Sequence, residues 1–215
     1  MRQLLLLLLA AVIASACGAD PGPWDQSASR PPAVILSLPR SCAREGRLFL
    51  VPIGEVRRID LNEVIERYRQ EYGLPIALAA PVAIGPRAMD GQRNQVVAEE
   101  LAAAVSLVHG PRAGSDAALR IGVTDEDMFI RGSDWRFAFS ARFEGMAIMS
   151  SARMDPVFFG QSEDAAALYA RFYKILTKNV GVLHCGLPMS DNPRSVMYGA
   201  ILSVEDLDTV DESVW

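Results

Sequence analysis

The 215-residue chain has only two histidines, His109 and His184, and three cysteines, Cys17, Cys42 and Cys185. Two histidines cannot build a three-histidine metal site, and an H-E-x-x-H pair occurs nowhere in the sequence. With Cys17 set aside for the reason given below, two thiols cannot make a four-cysteine zinc site either. Apolar runs free of charge are equally scarce. The single long one, Leu4 to Ile13, is about half the ~20 residues needed to cross a bilayer, which excludes a multi-pass membrane protein. Basic clusters are absent as well: net charge is -5 and the lysines and arginines are scattered, so nucleic acid is not an expected partner.

What is present begins with an export signal. Arg2 supplies a positive n-region, Leu4 to Ile13 the apolar region, and Ala14-Ser15-Ala16 a small-residue cleavage site before Cys17. Residues 1–16 therefore read as a lipoprotein signal peptide and Cys17 as the lipid-modified first residue of the mature chain; the alternative is ordinary cleavage after Ala16. Acyl chains at Cys17 would hold the protein on a membrane surface at ~0.8 kcal/mol per buried methylene. Gly18 favours sorting to the outer membrane, so the expected location is the bacterial cell envelope, lipid-anchored and facing the periplasm. Residues 17–46, with Pro21, Pro23, Pro31, Pro32 and Pro39 among small polar residues, read as a tether. Residues 47–215 are sufficient for one domain with its own core. Cys42 and Cys185 could pair in an oxidising compartment, but sequence alone leaves that open.

Along this domain, Arg47 to Gly54 predicts a strand, and Asp60 with Glu63 predicts a capping box opening a helix that Gly73 and Pro75 end. Pro75 to Ile84 predicts a second strand and Gln92 to Val108 a second helix. Ala118 to Thr124 predicts a buried strand running into a polar loop at Asp125 and Asp127, which lack the spacing of a calcium loop. Trp135 to Phe143 and Gly145 to Met154 predict a hairpin turning at Glu144-Gly145. Ser162 to Val180 predicts a third helix with an apolar stripe through Leu168, Phe172 and Ile175, capped by Gly181. The tail is short and irregular, with a solvated acidic surface expected at Glu205, Asp206, Asp208, Asp211 and Glu212. The order implies an α/β fold with a mixed β-sheet and packed helices.

The passages ALRIGVTDED (118–127), GMAIMSSARM (145–154), Gly181 to Cys185 and Ser195-Val196-Met197 resemble the archaemetzincin family of metzincin zinc peptidases, from about Arg47 onward. The resemblance implies a metzincin-like sheet with a short irregular C-terminal subdomain. It also implies a zinc site on H-E-x-x-H-x-x-G-x-x-H, where three histidines bind metal and the glutamate is general base. With Gly181 on the motif's glycine, Lys174 and Lys178 fall on the first two ligand positions, Ile175 on the base and His184 on the third ligand. A protonated lysine is a poor zinc ligand, with an ordinary pKa of ~10.4, and isoleucine cannot take a proton. The family's second, structural zinc is not expected either, since Cys185 remains but Ser195 precedes Met197 and no C-x-x-C follows. Met197 matches the Met-turn methionine beneath the metal; an ordinary core methionine would read the same way.

The resemblance thus implies a zinc-peptidase family member that is itself catalytically inactive, with no catalytic residue assigned and no cofactor expected, binding a peptide, protein or envelope ligand. An active zinc peptidase with a rearranged site using His184, and a purely structural envelope lipoprotein, are the alternatives. Arg171, Lys174 and Lys178 read as a solvated basic face, or, within a metzincin fold, as fixed charge in the substrate cleft. Substrate would then add as a strand to the segment Ala147 to Arg153. Cys185 could join a rearranged metal site beside His184. His109 reads as an exposed loop residue, and a Ser195–His184 triad has only composition behind it.

Overall fold

The computed structural model describes Cys42, residues 46–74, 76–110 and 118–212, and Trp215. The expected signal peptide, the lipid site at Cys17 and, apart from Cys42 and Gly46, the tether lie outside these residues.

In chain order the elements are β1 (Leu48–Pro52), α1 (Leu61–Tyr72), β2 (Ile76–Leu78), β3 (Met89–Asp90), β4 (Gln95–Val97), α2 (Ala98–His109), β5 (Leu119–Thr124), β6 (Met128–Phe129), β7 (Ser140–Phe143), β8 (Met146–Ser150), α3 (Ala165–Leu183) and α4 (Val204–Thr209). The main sheet runs β2-β1-β5-β8-β7. Its first four strands are parallel, and β7 pairs antiparallel with β8 across the Glu144-Gly145 turn. A smaller sheet joins β3, β4 and β6. This is the mixed α/β architecture expected.

Strand alternation sorts the apolar residues onto two faces. Leu48, Leu50, Ile121, Val123, Ala147 and Met149 pack with α1 and α3. Val51, Ile53, Met146 and Ile148 pack with α2. At Gly122 of β5 a Cβ would lie 2.6 Å from Ile53 Cδ1 and 2.8 Å from Ile148 Cδ1. The two flanking strands close over that position because no side chain stands there.

The Asp60 carboxylate caps α1, accepting from the N–H groups of Asn62 and Glu63, and Gly73 ends the helix in the left-handed region. The Asp60 N–H donates to the Tyr169 hydroxyl at 2.9 Å, which ties the start of α1 to α3.

Four expectations need correction. Gln92 to Val97 is not helical: the Asp90 carboxylate accepts from the N–H groups of Gln92 and Arg93, making a turn, and β-branched Val96 and Val97 extend as β4. The second strand stops at Leu78, although Val82 still bridges to Ile53. Of the expected hairpin only Ser140–Phe143 and Met146–Ser150 are strand, because β8 gives way to a 3₁₀ turn at Ala152–Met154. Finally, α3 runs through Gly181 to Leu183, so Gly181 is not its cap. It is small for packing: a Cβ there would meet Met197 Sδ at 2.7 Å and Trp215 Cζ3 at 3.2 Å.

Cys42 and Cys185 form a disulfide, with Cα atoms 4.3 Å apart. It fastens the chain just ahead of β1 to the second residue beyond the end of α3.

Candidate functional site

Helix α3 is capped by Asp164, whose carboxylate accepts from the Ala167 N–H, and carries Lys174, Ile175, Lys178 and Gly181 of the altered motif, with His184 as its C-cap. Ile175 is buried in the core beside Leu168, Phe172 and Leu176. Lys174 and Lys178, one turn apart, point at the C-terminal segment. The Lys174 ammonium donates to the carbonyls of Leu207 at 3.0 Å and Asp208 at 3.4 Å. The Lys178 ammonium donates to the carbonyl of Tyr198. Arg171 makes a two-pronged pair with Asp208 and donates to the Met154 carbonyl.

The solvated basic face is therefore corrected: α4 and the stretch before it cover these side chains. The acidic tail is corrected only in part: Glu205 and Asp208 are exposed as expected, but most of its acids have partners. Asp208 pairs with Arg171, Asp206 completes a capping box with Ser203, and Arg194 and Arg67 reach Asp211 and Glu212. Asp125 and Asp127 are likewise engaged, Asp125 by the N–H groups of Arg57 and Arg58 and Asp127 by Arg153.

Lys178 is only 6 % exposed. Burial, with the Arg142 charge adding to it, pulls its ammonium down to about 8. Burial also lowers Lys174, against the opposing pull of Asp208.

His184 is buried at the end of α3, and its N–H donates to the Val180 carbonyl. Cys185, considered above as a metal ligand, is committed to the disulfide. Met197 is buried against the helix at Gly181. The Ser195 hydroxyl accepts from the Met197 N–H within its own turn. His109 closes α2 and its Nε2 contacts the Ala80 carbonyl at 3.0 Å, so it is not a loop residue.

Zinc does not fit the donor set at the motif positions. Two of the three ligand positions carry ammonium groups acting as hydrogen-bond donors to carbonyls, and the base position is a hydrocarbon. Among the described residues no three His, Cys, Asp or Glu side chains converge on a point where a metal could bind.

What the geometry does build is a cavity of about 380 Å³ between α3, β7 and the stretch ahead of β7, within the 300–1,000 Å³ common for ligand pockets. Phe137, Ser140, Arg142, Ile175, Lys178 and Leu202 are among its lining residues. Lys174 is not. Ser140 faces α3, where the Asn179 amide donates to its hydroxyl at 3.0 Å. Arg142, two residues along β7, shares that face and is exposed.

The position of β7 changes the expected substrate edge. Ala147 to Arg153 begins on β8, an interior strand paired on both sides, whereas its neighbour β7 is one of the sheet's two terminal strands, with β2 at the other end. Of these two strands, β8 and β7, Ser140–Phe143 is the one with an unpaired edge in this sheet. Arg142, Ser140 and Asn179 were not singled out from sequence. The signal was Ser140 and Arg142 sharing one face of a strand of which Ala141 and Phe143 occupy the other.

No model of a known protein family matches the chain. It is 30% identical over 156 residues to an archaemetzincin of Pyrococcus furiosus, spanning 70% of this chain and 79% of that protein. With an archaemetzincin of Haloarcula marismortui it shares 28% over 151 residues, 69% of this chain and 83% of that one. Among solved structures, a zinc-dependent peptidase from Methanocorpusculum labreanum has the same fold with a TM-score of 0.62 at 21% identity, over 78% of this chain and 95% of that one. An archaemetzincin from Methanopyrus kandleri superposes with a TM-score of 0.60 at 22% identity, over 82% and 92%.

Proposed function

Because the chain belongs to the archaemetzincin family yet carries two lysines and an isoleucine at the zinc-ligand and base positions, we propose that it is a non-hydrolytic member of that family, binding an extended peptide or protein segment along β7. The observation that carries this reading is the engagement of Lys174 and Lys178 by main-chain carbonyls of the C-terminal segment. Metal coordination at these positions would require two deprotonated lysines and rupture of those bonds. The cavity beside the terminal strand remains, and with it the means to hold a peptide by main-chain pairing and side-chain pockets.

The same proposal places the protein outside the cytoplasm, anchored through Cys17 on the periplasmic side of a bacterial outer membrane. The Cys42–Cys185 disulfide supports export, since such bonds persist in oxidising compartments and are rare where thiols are kept reduced.

The test is the zinc content of the purified protein after dialysis, read beside hydrolysis of a peptide library. Expected are substoichiometric zinc and no cleavage. Stoichiometric zinc with chelator-sensitive cleavage would overturn the reading.

A further inference from the structure

Two cations line the cavity from opposite walls, Lys178 from α3 and Arg142 from β7, and among the described residues neither is paired with a carboxylate. The one hydrogen bond of the Lys178 ammonium among the described residues is to a neutral carbonyl, that of Tyr198. An ammonium has three donors, so hydrogens remain for another acceptor. Among the described residues the Arg142 guanidinium has only the Met189 thioether, at 4.0 Å. The single acid lining the cavity among the described residues is Asp134, which is exposed. The two cations repel one another, and their mutual effect is part of what lowers Lys178. A buried charge without a counter-ion is costly, and an anion delivered by a ligand would offset that cost at the moment of binding.

The walls between the cations suit a carboxylate. Asn179 and Ser140, hydrogen-bonded to one another, add an amide and a hydroxyl to the lining, while Phe137 and Ile175 add apolar wall, against which an ionic contact is stronger than in open water. Arg142 carries the planar fork that pairs with two carboxylate oxygens at once.

We propose that the cavity between β7 and α3 is a carboxylate-recognition site, in which Lys178 and Arg142 jointly hold a carboxylate of the peptide bound along β7. This rests on the peptide-binding reading above and names the chemistry that selects the ligand. The carboxylate can come from the peptide's C-terminus or from an acidic side chain, and the experiment separates these sources.

Calorimetric titration of the purified full chain would use three N-acetylated peptides of alanine and leucine: one with a free C-terminal carboxylate, one with a C-terminal amide, and one amide carrying an internal glutamate. At least one of the two anionic peptides should bind about tenfold more tightly than the neutral amide, the gain expected of a charge-assisted contact. Which of the two gains identifies the source. That advantage should vanish in R142Q, an exposed position whose replacement leaves the core intact, and in K178M, and should persist in K174M. Equal binding of all three peptides would overturn carboxylate recognition while leaving peptide binding along β7 standing. Binding of none of them would overturn both, and an advantage that survives in R142Q and K178M would place the anion elsewhere.

Discussion

The Lys178 ammonium donates to the main-chain carbonyl of Tyr198, the residue directly after Met197. The residue on the second ligand position of the zinc motif is thereby tied to the turn on which the Met-turn methionine is matched. In this chain the helix and the turn are joined by a hydrogen bond at the place where the family resemblance puts a metal ligand. A cation in a poorly compensated environment costs stability, and that cost is measurable.

Burial holds Lys178 at about 8, below the ordinary lysine value of 10.5. Between those two pH values the unfolded chain binds more protons at this site than the folded one, so stability should rise with pH across that window. Below pH 8 the whole cost is present. Lys178→Met is expected to be more stable than the native protein at pH 7 by roughly 2 kcal/mol, less the lost contact to Tyr198, with the gap shrinking as pH rises to about 10.5. Urea unfolding at pH 7 and pH 10 measures this. A gap that does not change with pH would assign the effect to packing and not to charge.

Gly181 lies within α3, where alanine would ordinarily gain about 1 kcal/mol of helix propensity. Its surroundings reverse the sign. A Cβ would stand 2.7 Å from Met197 Sδ and 3.2 Å from Trp215 Cζ3. Gly181→Ala should destabilise by about 1–3 kcal/mol, and Met197→Ala in the same chain should recover part of that loss. Thermal melting of the single variants and the double variant tests the coupling. Additive effects would show that Met197 yields without strain.

The disulfide closes a loop with a sequence separation of 143 residues. Cross-links over long loops restrict the unfolded chain most, and removal of a native one commonly costs 2–5 kcal/mol. Cys42→Ser, or reduction of the native protein, should lower the denaturation midpoint by a corresponding amount. Because Cys42 lies ahead of β1, the variant is expected to keep its fold, as judged by circular dichroism. An unchanged midpoint on full reduction would mean that the bridge contributes little.

The strands β1, β5 and β8 were legible because their apolar runs serve a sheet covered on both faces, and α1 was legible from its cap and stop residues. The start of α2 was not, since Gln92 to Val97 carries no breaker strong enough to reveal that the Asp90 turn and β4 take those residues first. At the site, the altered motif could be placed by spacing alone. The fate of Lys174 and Lys178 could not, because it depends on the C-terminal segment returning over α3, with α4 some 30 residues on from Lys174 and Tyr198 20 residues on from Lys178. The same long-range packing makes Asp208 and Glu212 partners of Arg171 and Arg67, Asp208 while still at the surface. Gly181 misled for a related reason: a glycine near a helix end suggests a cap, and only the third dimension shows Met197 against it.

Glu212 belongs to the same returning segment and gives it a pH dependence. Burial pushes its carboxyl up to about 7, although Arg67, 3.7 Å away, and Lys174 both favour the charged form. Tyr72 lies in the same cluster, where burial and then the neighbouring Glu212 charge push its hydroxyl up. Between the ordinary carboxyl value of 4.5 and about 7 the folded state binds more protons at this site than the unfolded chain, so stability should fall as pH rises through that interval. Glu212→Gln keeps the shape and removes the ionisation. It should match the native protein near pH 4.5 and exceed it by about 2 kcal/mol at pH 8. Thermal melts of both proteins at the two pH values measure the difference of differences, which is insensitive to other groups that titrate alike in both. A variant less stable than the native protein at pH 8 would show that the Arg67 pair outweighs the cost of burial, and that Glu212 fastens the C-terminal segment as an ion and not as an acid.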